Sequence, residues 1–293
     1  MKKAAAAIIA ALFLLLNINV CAVIQYPPKD TDITVSVPVY DIPPVIDGEI
    51  GEDEYCSLQI DRTSLSFVVG SESDWSRVRD TVFAAYACVC SDCFYFALKT
   101  QLPPQYYKTD CEARLMWAQT ALLISLAPSG SSGRTALEFG IRPNSQSYVF
   151  NKYAGKEIDL TGSFSAIYSD GVVIYEVKVP LSAFGAEGKD RFSFCFSISE
   201  GDFYDNERIA YVQFGQGISG FSTAEDAYAG KDAALFPTVI LTDQSGVTVT
   251  EPPDTEPSEP PNTGSDLLIW AAVIVASALI ASILLANVIK KRV

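Results

Sequence analysis

The chain has 293 residues and no histidine, which excludes every site built on an imidazole: Ser-His-Asp and Cys-His nucleophiles, His-ligated zinc and His-ligated haem. All 35 acidic residues fall between residues 23 and 266, and against the 16 basic residues of that stretch they leave it at −19. Such a charge repels nucleic acid and anionic lipid and favours cations or neutral ligands.

At the N-terminus, Lys2 and Lys3 precede an apolar run from Ala4 to Leu16, and Val20-Cys21-Ala22 sets a small residue before a cut. This is the pattern of a secretory signal peptide over 1–22, with the mature chain starting at Val23. The run falls short of the roughly 20 residues that span a bilayer. Lipidation at Cys21 is the rival reading, although Val20 stands where such sites place Gly, Ala or Ser.

Residues 23–248 contain no internal repeat and no linker, so one domain is expected there. Asp47-Gly48 suits a tight turn, because Asp bonds its own backbone and Gly accepts a positive φ. Val82 to Val89 and Thr120 to Leu126 read as buried strands. Phe94, Phe96 and Leu98 alternate with other residues, as do Leu137, Phe139 and Ile141. In Arg191 to Ile198 the phenylalanines and the isoleucine share one face, the two-residue period of a half-buried strand. Ser129 to Gly133, Pro143-Asn144 and Ser169-Asp170-Gly171 punctuate these runs as turns. Val179-Pro180 ends a strand, since proline lacks a ladder donor. No long amphipathic helix competes. The expected fold is an all-β, antiparallel β-sandwich followed by one C-terminal transmembrane helix.

Six cysteines follow the leader: Cys56, Cys88, Cys90, Cys93, Cys111 and Cys195. They allow about 15 complete pairings, and spacing does not choose among them. Cys88, Cys90 and Cys93 form a C-x-C-x-x-C cluster, but zinc takes four ligands and no second CxxC or histidine is present. Structural cysteines in strands are expected. Cys90 and Cys93 flank a hairpin turn at Ser91-Asp92, where a bond needs suitable Cβ directions as well as closeness.

Residues 249–266 are rich in Pro and Glu and poor in apolar residues, which makes an extended spacer. Residues 267–289 carry no charge and run into a basic tail at 290–293, with Lys290-Lys291-Arg292, so the body of the protein lies outside a type I membrane anchor. Pro260-Pro261-Asn262-Thr263-Gly264, ahead of that helix, resembles a sortase sorting signal with proline in place of the usual leucine. The resemblance implies cleavage between Thr263 and Gly264, with Pro261 part of the signal and a Gram-positive wall as destination; a plain membrane anchor is the alternative.

A family resemblance runs through roughly residues 38–200. Val45-Ile46-Asp47-Gly48 with Glu52, Glu54 and Tyr55 resembles the "IDG…E.EY/W" opening of the DOMON-like superfamily, in particular family 9 carbohydrate-binding modules. Thr81 to Thr100 is similar to that family's paired-strand hairpin. Trp117 to Ala127 is similar to its tryptophan-led strand, and Asp170 to Phe184 to its "dGw.yEv.IPlsaf" segment. Ala118-Gln119-Thr120 departs from the pattern, which commonly places an acidic residue after the tryptophan. The resemblance implies a β-sandwich that binds a polysaccharide or surface glycan without changing it.

A sugar offers an apolar ring face and a rim of hydroxyls, so its site sets flat aromatics beside polar side chains. Three aromatics qualify on sequence context. Trp75 lies in the polar stretch Ser71 to Arg77, Trp117 has Arg114 and Gln119 nearby, and Tyr204 lies in the acidic loop Glu200 to Glu207. Ordinary packing is the competing role for each. That acidic loop offers oxygens to calcium but lacks a calcium-loop spacing. No other cofactor is called for. A surface protein that binds a protein partner without sugar affinity is the alternative function. A carboxylate-based glycoside hydrolase is a further one, since it needs two positioned acids, although 35 acids single out no pair.

Overall fold

The computed structural model describes residues 24–30, 32–70, 72–144, 146–202, 207–218 and 231–243. The leader, the spacer, the apolar run 267–289, Tyr204, Pro261, Thr263 and Gly264 lie outside them. Among the described residues no helix is long and apolar enough to cross a membrane.

In chain order the strands are β1 (Ile24–Tyr26), β2 (Thr34–Pro38), β3 (Cys56–Ser57), β4 (Leu65–Val69), β5 (Phe83–Cys90), β6 (Cys93–Gln101), β7 (Ala121–Pro128), β8 (Leu137–Arg142) and β9 (Gln146–Asn151). Then come β10 (Phe164–Ser169), β11 (Val172–Pro180), β12 (Arg191–Asp202), β13 (Glu207–Phe214) and β14 (Thr238–Thr242). One helix, α1 (Glu72–Arg79), stands between β4 and β5. The large sheet runs β1-β4-β13-β12-β7-β8-β9, with β14 on β12 and β2 on β14, and the small sheet runs β10-β11-β6-β5-β3.

Two sheets form because each long strand has one apolar face to bury. Phe192, Phe194, Phe196 and Ile198 of β12 point inward and meet Phe94 and Phe96 of β6. The Phe94–Phe194 and Phe96–Phe194 ring centroids are 5.1 and 5.0 Å apart, in edge-on contact. Fully burying each such ring is worth about 1.5–3 kcal/mol, and edge-on pairing adds about 0.5–1.5 kcal/mol. Leu122, Ile124 and Leu126 of β7, Leu137, Phe139 and Ile141 of β8, and Val173, Tyr175, Val177 and Val179 of β11 complete the core.

Two features depart from the expected antiparallel sandwich. The β14 and β2 strands run parallel, with Thr238 opposite Thr34. The polar stretch 72–79 is helical, and it buries Trp75 and Val78, three residues apart, against β4. The Ser91-Asp92 turn is as expected: both residues have positive φ, 47° and 60°, and Cys90 sits opposite Cys93. Five of the six cysteines lie in strands, Cys111 being the exception. In this structure none of the six is joined to another.

Candidate functional site: the outer face of the large sheet

The family-like motifs converge on one buried carboxylate. Glu176 of β11 faces away from the core and is 0% exposed. Its Oε2 accepts the backbone N–H groups of Gly48 at 2.5 Å and Asp47 at 3.1 Å. Its Oε1 accepts the Tyr55 hydroxyl at 2.8 Å. Burial pushes the Glu176 carboxyl above its ordinary value against the pull of these hydrogen bonds. Burial, followed by the neighbouring Glu176, pushes the Tyr55 phenol upward as well. Gly48 is required here: its φ is 95°, and a Cβ would overlap the Ile167 side chain. The motif is thus a clasp that ties the loop 41–55 to the small sheet.

A second buried acid is equally committed. Glu200 of β12 is ion-paired with Arg77 of α1, whose guanidinium lies 3.9 Å above the Tyr106 ring. Burial raises its carboxyl, and Arg77 opposes the rise. Neither acid is poised as one of two accessible carboxylates.

Trp117 stands on the outer side of the large sheet, where the second face of β12 is polar. On β12, Ser193, Cys195, Ser197 and Ser199 alternate with the inward phenylalanines. Register sets Ser197 beside Gln213 of β13 and Leu123 of β7, Ser199 beside Tyr211, and Cys195 beside Ser125. Ser125 in turn lies opposite Glu138 of β8, which is ion-paired with Lys231. Gln213, Ser125 and Glu138 are buried, and the Ser197 and Ser199 hydroxyls are buried without a hydrogen-bond partner. Ala121, Leu123, Ala127, Ala136 and Cys195 pack here with Ile218, Ala233 and Phe236 in a second apolar cluster, which keeps these polar residues from solvent.

Aromatic groups stand on the same face. The short 3-10 helix Ala113–Ala118 rests Met116 and Trp117 on Ala121 and Leu123, together with Phe150. Gly140 makes room for it, because a Cβ there would come within 2.6 Å of Met116 Sδ and 2.9 Å of Leu123 Cδ2. The Tyr211 hydroxyl donates to the Trp117 carbonyl at 2.8 Å and fixes the segment over the sheet. Trp117 is half-buried. Tyr148, 39% exposed, meets Phe150 edge-on at 5.1 Å.

Of the tryptophans proposed from sequence, both among the described residues, Trp117 stands on this face and Trp75 does not. Trp75 is corrected: it is 6% exposed, lies 3.9 Å from the Tyr26 ring and meets Phe67 edge-on at 5.0 Å, so it offers no face to a ligand. Tyr204 falls outside the described residues. Arg114 is exposed and paired with Glu112 at 2.7 Å. Gln119 is buried and holds the loop before Trp117, donating to Asp110 Oδ1 at 2.6 Å and accepting from the Cys111 N–H at 3.0 Å. Among the described residues no group of three or more acidic or cysteine side chains is placed to hold a metal ion. Sequence reading did not single out Tyr148 and Phe150, whose rings meet on this face.

No family model and no curated relative matches the chain. The fold is similar to that of a family 9 carbohydrate binding module from Caldicellulosiruptor kristjanssonii in complex with cellotriose. The two share 15% identity over 75% of this chain and 100% of that one, with a TM-score of 0.49. A structure of a family 9 module from the same organism in complex with glucose also has 15% identity, over 73% of this chain and 100% of that one, with a TM-score of 0.48.

Proposed function

We propose that this chain is a non-catalytic carbohydrate-binding module held at the cell surface, and that the sugar meets the outer face of the large sheet at Trp117. One observation carries the reading: half-buried Trp117 and Tyr148, 39% exposed, stand with Phe150 on the outer side of the large sheet. Flat rings stack on the apolar face of a pyranose. The motif order across residues 38–200 supports the same class. The leader, the spacer and the apolar run 267–289 support display outside a membrane, with Thr263 as the attachment point if a sortase reads the tail.

Binding of the purified full-length chain in detergent to a panel of neutral polysaccharides and oligosaccharides tests this reading. Saturable binding that is lost in Trp117→Ala, with the fold intact, supports it. A second reading, a protein-binding surface without sugar affinity, rests on Val39, Ile42 and Val45, which expose 45%, 81% and 58% of their surface within one short stretch.

A further inference from the structure

The hairpin tip of the small sheet carries two thiols that the sugar reading does not use. Cys90 ends β5 and Cys93 begins β6, and they are direct partners across the antiparallel pair. Both residues between them are left-handed, Ser91 at φ 47° and Asp92 at φ 60°, the two-residue turn that holds flanking strands closest in register. Side chains of directly opposed residues leave the same face of a sheet. That face also bears Cys88, two residues back on β5 and opposite Tyr95.

We infer that Cys90 and Cys93 form a labile cross-strand disulfide, a thiol–disulfide site at the tip of the small sheet. Directly opposed residues have Cα atoms about 4.5–5.5 Å apart, inside the span of a disulfide. Their Cβ atoms stand about 4.5–5.5 Å apart, whereas a relaxed bridge wants about 3.5–4.5 Å. The bridge must draw the strands together, and a strained bridge is easily reduced. It closes a very short loop, so it adds little to the stability of the chain. Cys88 is no competitor, because residues i and i+2 of one strand cannot approach each other.

The order of events follows from exposure. Cys93 is half-buried and Lys178 opposes the upward push of burial on its thiol, whereas Cys90 is 1% exposed. The Cys93 thiolate therefore attacks a small disulfide such as oxidised glutathione. The S–S bond breaks and one glutathione leaves as thiolate. The Cys90 thiolate then attacks the Cys93 sulfur of the mixed disulfide, and the second glutathione leaves. Two thiol protons pass to solvent and two electrons to glutathione.

The test uses the full-length chain in detergent, equilibrated with oxidised and reduced glutathione, quenched in acid and alkylated. Cleavage on the N-terminal side of Asp92 separates Cys90 from Cys93, so a bridge keeps two peptides together. Linked peptides are expected in the wild type and in Cys88→Ser, are lost in Cys90→Ser and Cys93→Ser, and separate on adding reduced glutathione without denaturant. Half-buried Cys111, with no thiol opposite it, takes up glutathione and stays unlinked. A bridge that uses Cys88, a Cys93 that carries glutathione alone, or unlinked Cys90 and Cys93 under conditions that modify Cys111 would overturn the inference.

Discussion

The Tyr55 hydroxyl donates to Glu176 Oε1 at 2.8 Å, joining residues 121 apart in the chain. With the Gly48 and Asp47 amides on the other oxygen, three donors converge on one buried carboxylate. Removing it leaves all three without a partner. Glu176→Ala is therefore expected to destabilise the domain by about 3–5 kcal/mol, whereas Tyr55→Phe costs about 1–2 kcal/mol. Glu176→Gln keeps an acceptor for the amides and falls between them. Urea unfolding of the three variants checks the order, and equal losses for Ala and Gln would refute the clasp.

Glu176 and Glu200 also set a pH dependence. Burial raises both carboxyls above their ordinary value near 4.5, so the folded state holds these protons more tightly than the unfolded state. Their contribution is fully present below about pH 4.5 and is lost as pH rises through the higher folded values. The drop in unfolding free energy between pH 4.5 and neutrality is expected to shrink in Glu176→Gln. An unchanged slope in that variant would show that Glu176 does not titrate in this window.

The two tryptophans are expected to separate cleanly. Trp75→Ala removes a ring packed on Tyr26 and Phe67 and is expected to cost about 3–5 kcal/mol, read as a lower unfolding midpoint. Sugar affinity, measured where the variant is still folded, stays within about twofold, a change of less than 0.5 kcal/mol. Trp117→Ala is expected to do the reverse, with a small change in midpoint and an affinity loss of tenfold or more, about 1.4 kcal/mol.

Gly140 offers an indirect handle on the same face. Gly140→Val places methyl groups against Met116 and Leu123 and pushes the Ala113–Ala118 turn off the sheet. Overpacking of this kind costs about 1–3 kcal/mol, and the displaced Trp117 is expected to lose sugar affinity although Gly140 touches no ligand. Retained affinity with a displaced turn would separate Trp117 from the site.

Much of the architecture was legible in the residues. The Phe192 to Ile198 alternation, the Leu137, Phe139, Ile141 series and the turn at Ser91-Asp92 are local patterns whose period decides the element, and the structure follows them. What stayed hidden depends on distant partners. The stretch ESDWSRVR around Trp75 reads as polar loop, since two apolar residues three apart become a buried helical stripe only once β4 supplies the surface. The parallel pairing of β14 with β2 joins segments about 200 residues apart, and no local pattern encodes such a choice. Glu176 reads as one acid in a strand until its three donors arrive from the loop 41–55. Trp117 was legible as an aromatic beside polar residues. Phe150, packed in the same cluster, was not, because register alone brings β7, β8 and β9 side by side.

The most direct test of sugar recognition at Trp117 is calorimetric titration of neutral oligosaccharides, β-linked glucans among them, into the full-length wild type and Trp117→Ala. Saturable binding to the wild type, lost in Trp117→Ala while its unfolding midpoint holds, is the predicted result. Equal binding by both proteins would contradict the placement of the site, and no heat from any sugar with the wild type folded would contradict sugar recognition itself.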